Sequence, residues 1–177
     1  MLSFARKSEG NRSSHDMLRI IDNTLELIAS DYNLKTQYDF KRIKIVKEYE
    51  DNLPYVSCEK SKIQQVLFNI LRNGAQAMQK AETENPLFII RTRIENDRKI
   101  FCIEIEDNGP GMDEMISKRA FEPFFTTKDV GVGTGLGLSV SYFIITEDHG
   151  GKITLQSQPG AGAKFIIRLP INSPCKY

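Results

Sequence analysis

Cysteine is scarce in this 177-residue chain. Cys58, Cys102 and Cys175 are odd in number and show neither metal-ligand nor redox spacing, which argues against a disulfide framework and fits a reducing cytosol. A charge excess of one sign is also missing. Lys and Arg total 24 against 23 Asp and Glu, a net charge of +1, so no basic surplus recommends nucleic acid as a partner and no acidic tail reads as a solvating segment. There is no signal-peptide pattern and no apolar run long enough to cross a bilayer. Internal repeats and low-complexity tracts are absent. What remains, at 40% hydrophobic and 27% charged residues, is the composition of one soluble globular domain, long enough to bury a core without staples.

Two phosphate-binding signatures are lacking as well. Neither G-x-x-x-x-G-K-[ST] nor G-x-G-x-x-G occurs, which excludes a P-loop and a dinucleotide fingerprint. The pattern that is there predicts a helix beginning at Ser13 or Ser14 and running through 16–30, with Leu18, Ile21, Leu25 and Ile28 at helical spacing. A strand is expected over 41–50, then a turn at Asn52–Pro54, and the longest helix over 60–81. Strands at 87–95 and 99–107 join through Asn96–Asp97. A short helix near 113–118, a helix over 136–148 and a closing hairpin of 152–157 and 163–170 complete the chain. Helices interleaved with clustered strands predict an α/β two-layer sandwich, a mixed and mostly antiparallel sheet packed on helices.

Four segments carry polar or glycine-rich anomalies. In KIQQVLFNILRNGAQAM (62–78), Ile63, Val66, Leu67, Ile70, Leu71, Gly74, Ala77 and Met78 form one apolar arc. Gln65, Asn69, Arg72 and Gln76 lie opposite, with Asn73 at the border. Two Asn and a Gly in mid-helix are poor helix formers, so this stripe is either a solvated face or a site. In EIEDNGPGM (104–112), Phe101, Ile103 and Ile105 alternate, which turns Asp107 toward the core. A buried carboxylate needs a donor, and an exocyclic amine such as that of adenine satisfies it; a strand-ending Asp in a turn accounts for Asn108 and Gly109 but not for that register. DVGVGTGLGLSV (129–140) places glycines at 131, 133, 135 and 137 ahead of an apolar helix. Such a loop offers free N–H groups to phosphate and orders as a lid when filled. FEPFFTTK (121–128) sets three Phe against that loop, and its Lys128 either reaches a terminal phosphate or stands solvated.

Together the four segments resemble the catalytic, ATP-binding domain of sensor histidine kinases, within the gyrase/chaperone/histidine kinase/mismatch-repair ATPase superfamily. NILRNGAQAM resembles the N box, DNGPGM the G1 box, FEPFFTTK the F box and GTGLGLSV the G2 box, over roughly residues 15–171. The resemblance implies the Bergerat ATP-binding fold with ATP and Mg²⁺ as ligands. By position, Asn73 becomes the Mg²⁺ ligand, Asn69 a polar contact near the phosphates or the Mg²⁺ shell, and Asp107 the acceptor for the adenine amine. Gly109, Gly111 and Met112 shape the base pocket. Gly133, Thr134, Gly135, Leu136 and Gly137 belong to the phosphate lid, with Arg72, Gln76 and Lys128 as further ATP contacts. Hydrolysing relatives place a water-activating Glu where Asn69 stands; an amide cannot act as general base, which favours transfer to a protein nucleophile. Two departures from the family pattern are Ala163, where Thr is frequent, and Gln76, where a base is frequent.

Only His15 and His149 are candidate phosphoacceptors. Asn73 follows His15 by 58 residues, too few for a helical hairpin and two strands, so His15 reads as a helix-start residue and His149 as a helix C-cap. The acceptor is therefore expected on a dimerising helical hairpin outside the chain, with residues 1–12 its tail, 13–172 the ATP-binding kinase domain and 173–177 a C-terminal tail. Expected partners are that phosphoacceptor domain, a response regulator receiver domain and a second copy in the full-length protein, in the cytoplasm or as the cytoplasmic part of a membrane-bound sensor. A serine kinase of the anti-sigma or metabolic-enzyme type, or a non-catalytic nucleotide-gated module, are the competing expectations.

Overall fold

Alternation of apolar residues in five segments builds the sheet on which everything else is placed. The computed structural model describes residues 12–30, 39–97, 99–127 and 134–172. Strands β2 (Lys44–Tyr49), β4 (Leu87–Glu95), β5 (Ile100–Asp107), β6 (Lys152–Ser157) and β7 (Ala163–Pro170) lie in the order β2-β4-β5-β7-β6. Only β2 and β4 are parallel; β4–β5, β5–β7 and β6–β7 are antiparallel. The expected mixed, mostly antiparallel sheet on helices is therefore the architecture found.

One face of the sheet is apolar. Phe88 and Ile90, Phe101, Ile103 and Ile105, then Phe165, Ile167 and Leu169 point to the helices and are buried. Helix α1 (Met17–Ser30) adds Ile20, Ile21, Leu25 and Ile28, and α2 (Lys60–Lys80) adds Ile63, Val66, Leu67, Ile70 and Leu71. The other face is ionic. Arg91 bridges Glu48 (2.6 Å) and Glu106 (2.5 Å), Lys164 reaches Glu106 (3.2 Å), Arg93 pairs with Glu104 and Glu95, and Arg168 holds Glu95 (2.7 Å). Alternation with period two thus separates the helix-facing core from a charge lattice in which Glu104, with the neighbouring Cys102 and Ile166, is itself buried.

Several expectations need correction. Ser13–His15 is not a helix start but strand β1, paired antiparallel with β3 (Val56–Cys58), which the pattern did not predict. The helix begins at Met17, and its first turn is capped by Asp16, whose Oδ1 accepts from the Leu18 N–H at 3.0 Å. Its buried stripe runs through Met17, Ile20, Ile21, Leu25 and Ile28, leaving Leu18 half-buried. On α2, Ala75 rather than Ala77 completes the buried arc. The strand expected from residue 41 begins at Lys44, because Phe40–Arg42 form a 3₁₀ turn. Helix α3 (Glu114–Arg119) is capped by Asp113. Helix α4 (Gly137–Phe143) passes at Ile144–Asp148 into a π-helical segment, which periodicity alone does not distinguish from α.

Candidate active site

Asp107 ends β5, in register with Phe88 of β4 and Ala163 of β7. It lies on the helix-facing side and is 7% exposed. Its Oδ1 accepts the Gly109 N–H at 2.9 Å and the Ala163 N–H at 3.3 Å. The first bond is an Asx turn that reverses the chain after the strand. Among the described residues no donor meets Oδ2. Burial pushes the carboxyl above its usual range, opposed by the two backbone donors.

Gly74 explains the glycine in the middle of α2. A Cβ there would stand 2.7 Å from the Phe88 ring and 3.1 Å from Asp107 Oδ2. The helix therefore closes on the sheet at this point, and no side chain intrudes on the open carboxylate oxygen. The turns beyond Asp107 are held backbone to backbone. Gly162, at φ +75°, would place a Cβ 1.9 Å from the Asp107 carbonyl oxygen, and Gly111, at φ +68°, would place one 2.0 Å from that of Gln158. Ser157 Oγ accepts from the Met112 N–H (2.9 Å) and donates to the Gly162 carbonyl (2.6 Å). Met112 is half-buried against the core.

The polar stripe of α2 runs from this point toward α4. Asn69, Arg72, Asn73 and Gln76, at intervals of three and four, share one side of the helix and are all half-buried. Asn69 Nδ2 donates to the Gly137 carbonyl (3.0 Å) and to Ser141 Oγ (3.2 Å), tying the stripe to the first turn of α4. Nearby, Phe124 donates its N–H to the Gly135 carbonyl (3.0 Å). Both residues sit at φ +64°, and a Cβ on Gly135 would stand 2.5 Å from the Phe124 carbonyl carbon. Thr134 and Leu136 are exposed. Lys128, Gly131 and Gly133 lie outside the described residues, as do residues 1–11 and 173–177.

The three phenylalanines take three different roles. Phe121 packs on Phe165 and Tyr142, Phe125 lies under the Arg119 guanidinium at 4.3 Å, and Phe124 is 74% exposed. His149 is buried, with Nδ1 donating to the Ile144 carbonyl (2.8 Å) and Nε2 accepting from the Glu59 N–H (3.1 Å). It caps the helix as expected, but through a neutral ring. Burial pushes its pKa down, in place of the partial positive charge the sequence suggested. His15 is a strand residue, not a helix start, with its Nε2 2.8 Å from Ser13 Oγ.

The structure thus brings Gly74, Asp107 and Gly109 together with Ala163, Gly111 with Gln158, and Asn69 with Gly137. Periodicity missed Ser157, Ser141 and Gly162, since each acts through a partner distant in sequence. An open groove of about 830 Å³ between α3 and the β6–β7 hairpin includes none of the expected nucleotide residues.

Residues 58–173 match the family described as histidine kinase-, DNA gyrase B- and HSP90-like ATPase. The chain belongs to that family. Among its relatives, the sensor protein TdiS of Thauera aromatica is 33% identical over 95% of this chain and 29% of its own length. The signal transduction histidine-protein kinase AtoS of Escherichia coli is 35% identical over 97% of this chain and 26% of its own length. The chain therefore spans between a quarter and a third of these relatives. The catalytic domain of the histidine kinase ThkA, solved nucleotide-free, superposes with a TM-score of 0.72 at 28% identity, covering 92% of this chain and 99% of that one. The fold is that of histidine kinase catalytic domains, the Bergerat fold.

Proposed function

We propose that residues 13–172 bind Mg-ATP along the α2 stripe and transfer its γ-phosphoryl group to a histidine carried outside this chain, as the kinase module of a two-component sensor. The observation that carries the reading is the open oxygen of Asp107. A buried carboxylate whose Oδ1 is used by the backbone and whose Oδ2 faces a glycine is arranged to accept from a planar amine, and adenine carries one. Gly109, Gly111 and Met112 bound that end.

Arg72 and Lys128 are the phosphate donors toward the other end, joined by Gln76 from the turn of α2 beside Gly74, with the 134–137 segment as the cover. The donor set on α2 suits Mg²⁺: one amide oxygen, from Asn73, is a fitting ligand for a hard cation that keeps its waters and binds mainly through phosphate oxygens. When bound, Mg²⁺ neutralises charge developing on the phosphates. Asn69 offers no general base to water, so the γ-phosphorus is left for an imidazole nitrogen. In that transfer a P–N bond forms and the bond from phosphorus to the bridging oxygen breaks. ADP leaves with that oxygen's electron pair, and the imidazole N–H proton passes to solvent.

We take neither histidine of the chain as the acceptor: His149 is buried and doubly hydrogen-bonded, and His15 is paired with Val56 in strand β1. We take the acceptor to be on a dimerising helical hairpin, and a response regulator to be the next recipient. The structure of ThkA in complex with the response regulator TrrA supports that last partner. No helix among the described residues is long and apolar enough to cross a membrane. Labelled ATP and Mg²⁺, mixed with this chain and a separately made hairpin carrying the acceptor, give acid-labile phosphohistidine if the reading holds. Acid-stable phosphoserine, or nucleotide binding with no transfer, overturns it.

A further inference from the structure

Ser141 stands outside every motif quoted above, yet it is fully buried at the joint between α2 and α4. Its hydroxyl donates to the Gly137 carbonyl at 2.8 Å and accepts from Asn69 Nδ2 at 3.2 Å. The direction of these bonds follows from chemistry. A carbonyl only accepts, so the Asn69 atom 3.0 Å from the Gly137 oxygen is the NH₂ group. With its own proton given to Gly137, the serine oxygen is an acceptor toward the same NH₂. Both contacts therefore fall on one end of the amide, and Oδ1 is the atom left to face a ligand.

We propose that Ser141 is a positioning residue for the phosphate end of the site: it fixes the Asn69 amide with its oxygen outward, so that Asn69 serves the hydrated cation and not the phosphate oxygens. A phosphate oxygen is an acceptor and gains nothing from Oδ1, whereas a cation or its coordinated water is attracted to it. The same hydroxyl links the end of the glycine segment to α2, so the start of α4 and the Asn69 amide are set together. The inference rests on the nucleotide reading above and deepens it.

The test uses the full 177-residue chain in two measurements. In the ligand-free protein, the side-chain ¹⁵N–¹H resonances of Asn69 are followed by NMR. Ser141→Ala is expected to move one Nδ2 proton upfield and quicken its exchange; unchanged resonances overturn the proposal without any nucleotide. In the second measurement, a slowly cleaved ATP analogue is titrated calorimetrically at several Mg²⁺ concentrations. Ser141→Ala is expected to weaken affinity about three- to tenfold with Mg²⁺ present, the worth of one hydrogen bond, and to leave the metal-free affinity unchanged. In an Asn69→Ala background the same substitution is expected to add less than about twofold, because coupled residues do not add. An equal loss with and without Mg²⁺, or full additivity with Asn69→Ala, assigns Ser141 to packing and overturns the proposal. A wild-type protein that binds no nucleotide overturns the functional reading itself; one that binds normally while Ser141→Ala has no metal-dependent effect overturns this inference alone.

Discussion

The two ends of the α2 stripe are built from different materials. At the Asp107 end the walls are backbone and glycine, with Gly74, Gly111 and Gly162 so close to their neighbours that any Cβ would overlap them. At the Asn69 end the walls are half-buried side chains, and a Cβ on Gly137 would meet Asn69 only at an ordinary 3.6 Å. The first end is part of the fold, and damage there costs stability as well as binding. The second end is mounted on the fold through Ser141 and Gly135, and damage to its half-buried stripe side chains costs binding more than stability.

The sharpest break in this comparison is Gly162→Ala. Overlap with the Asp107 carbonyl, added to a left-handed φ, is expected to remove about 3 kcal/mol of stability in urea unfolding. Gly160→Ala is the control: its φ is +77° but nothing lies within 4 Å of the new methyl, so about 1 kcal/mol is expected. Equal losses would show that the close approach is not what holds the turn.

Asn73→Ala probes the other end. Mg²⁺-dependent nucleotide affinity is expected to fall about tenfold or more, as for a contact to a charged group. Stability should fall by no more than about 1.5 kcal/mol, the scale for truncating a half-buried polar side chain. Unchanged affinity by calorimetry would remove Asn73 from the metal site.

Asp107→Asn sharpens the contrast in a third way, since the amide presents a donor as well as an acceptor. Preference for ATP over GTP is expected to fall about fivefold in competition binding, on the scale of one hydrogen bond. The folded state binds the Asp107 proton more tightly than the unfolded state does. The ionised group therefore costs stability at neutral pH, and the cost is relieved as pH falls toward the ordinary carboxylate range. The Asn variant should be no less stable than wild type at pH 7 and should lack this component of the acid profile.

The smallest effect lies away from both ends. His149 has its pKa pushed below 6.5, so its contribution is complete above that pH and is lost as pH falls from there toward the folded value. Protonation of Nε2 removes the acceptor for the Glu59 N–H, at a site flanked by Arg12, Lys62 and Asp148. His149→Gln is expected to flatten the wild-type decline in melting temperature below pH 6.5, and an unchanged slope would contradict the assignment.

The mounted end was the more legible in sequence. Asn69, Arg72, Asn73 and Gln76 show themselves as a polar stripe because helical periodicity is local. Asp107 was legible for the same reason, from the alternation of β5. What stayed hidden was set by contacts between distant segments. Strands β1 and β3 have three residues each and exist by pairing with each other, so the Ser13–Ser14 cap signal misled. Gly74 stands out as a poor helix former in sequence, but its reason, the close approach of Phe88 and Asp107, lies on other segments. The buried arc shifts from Ala77 to Ala75 where the helix closes on the sheet, a tertiary effect that ideal geometry of about 100° per residue does not contain.

The most direct test is competition between ATP and GTP analogues for the wild-type chain, with and without Mg²⁺, read by calorimetry. The account predicts a single site that prefers adenine and tightens when the metal is added. Equal affinity for both bases, or binding indifferent to Mg²⁺, would contradict it.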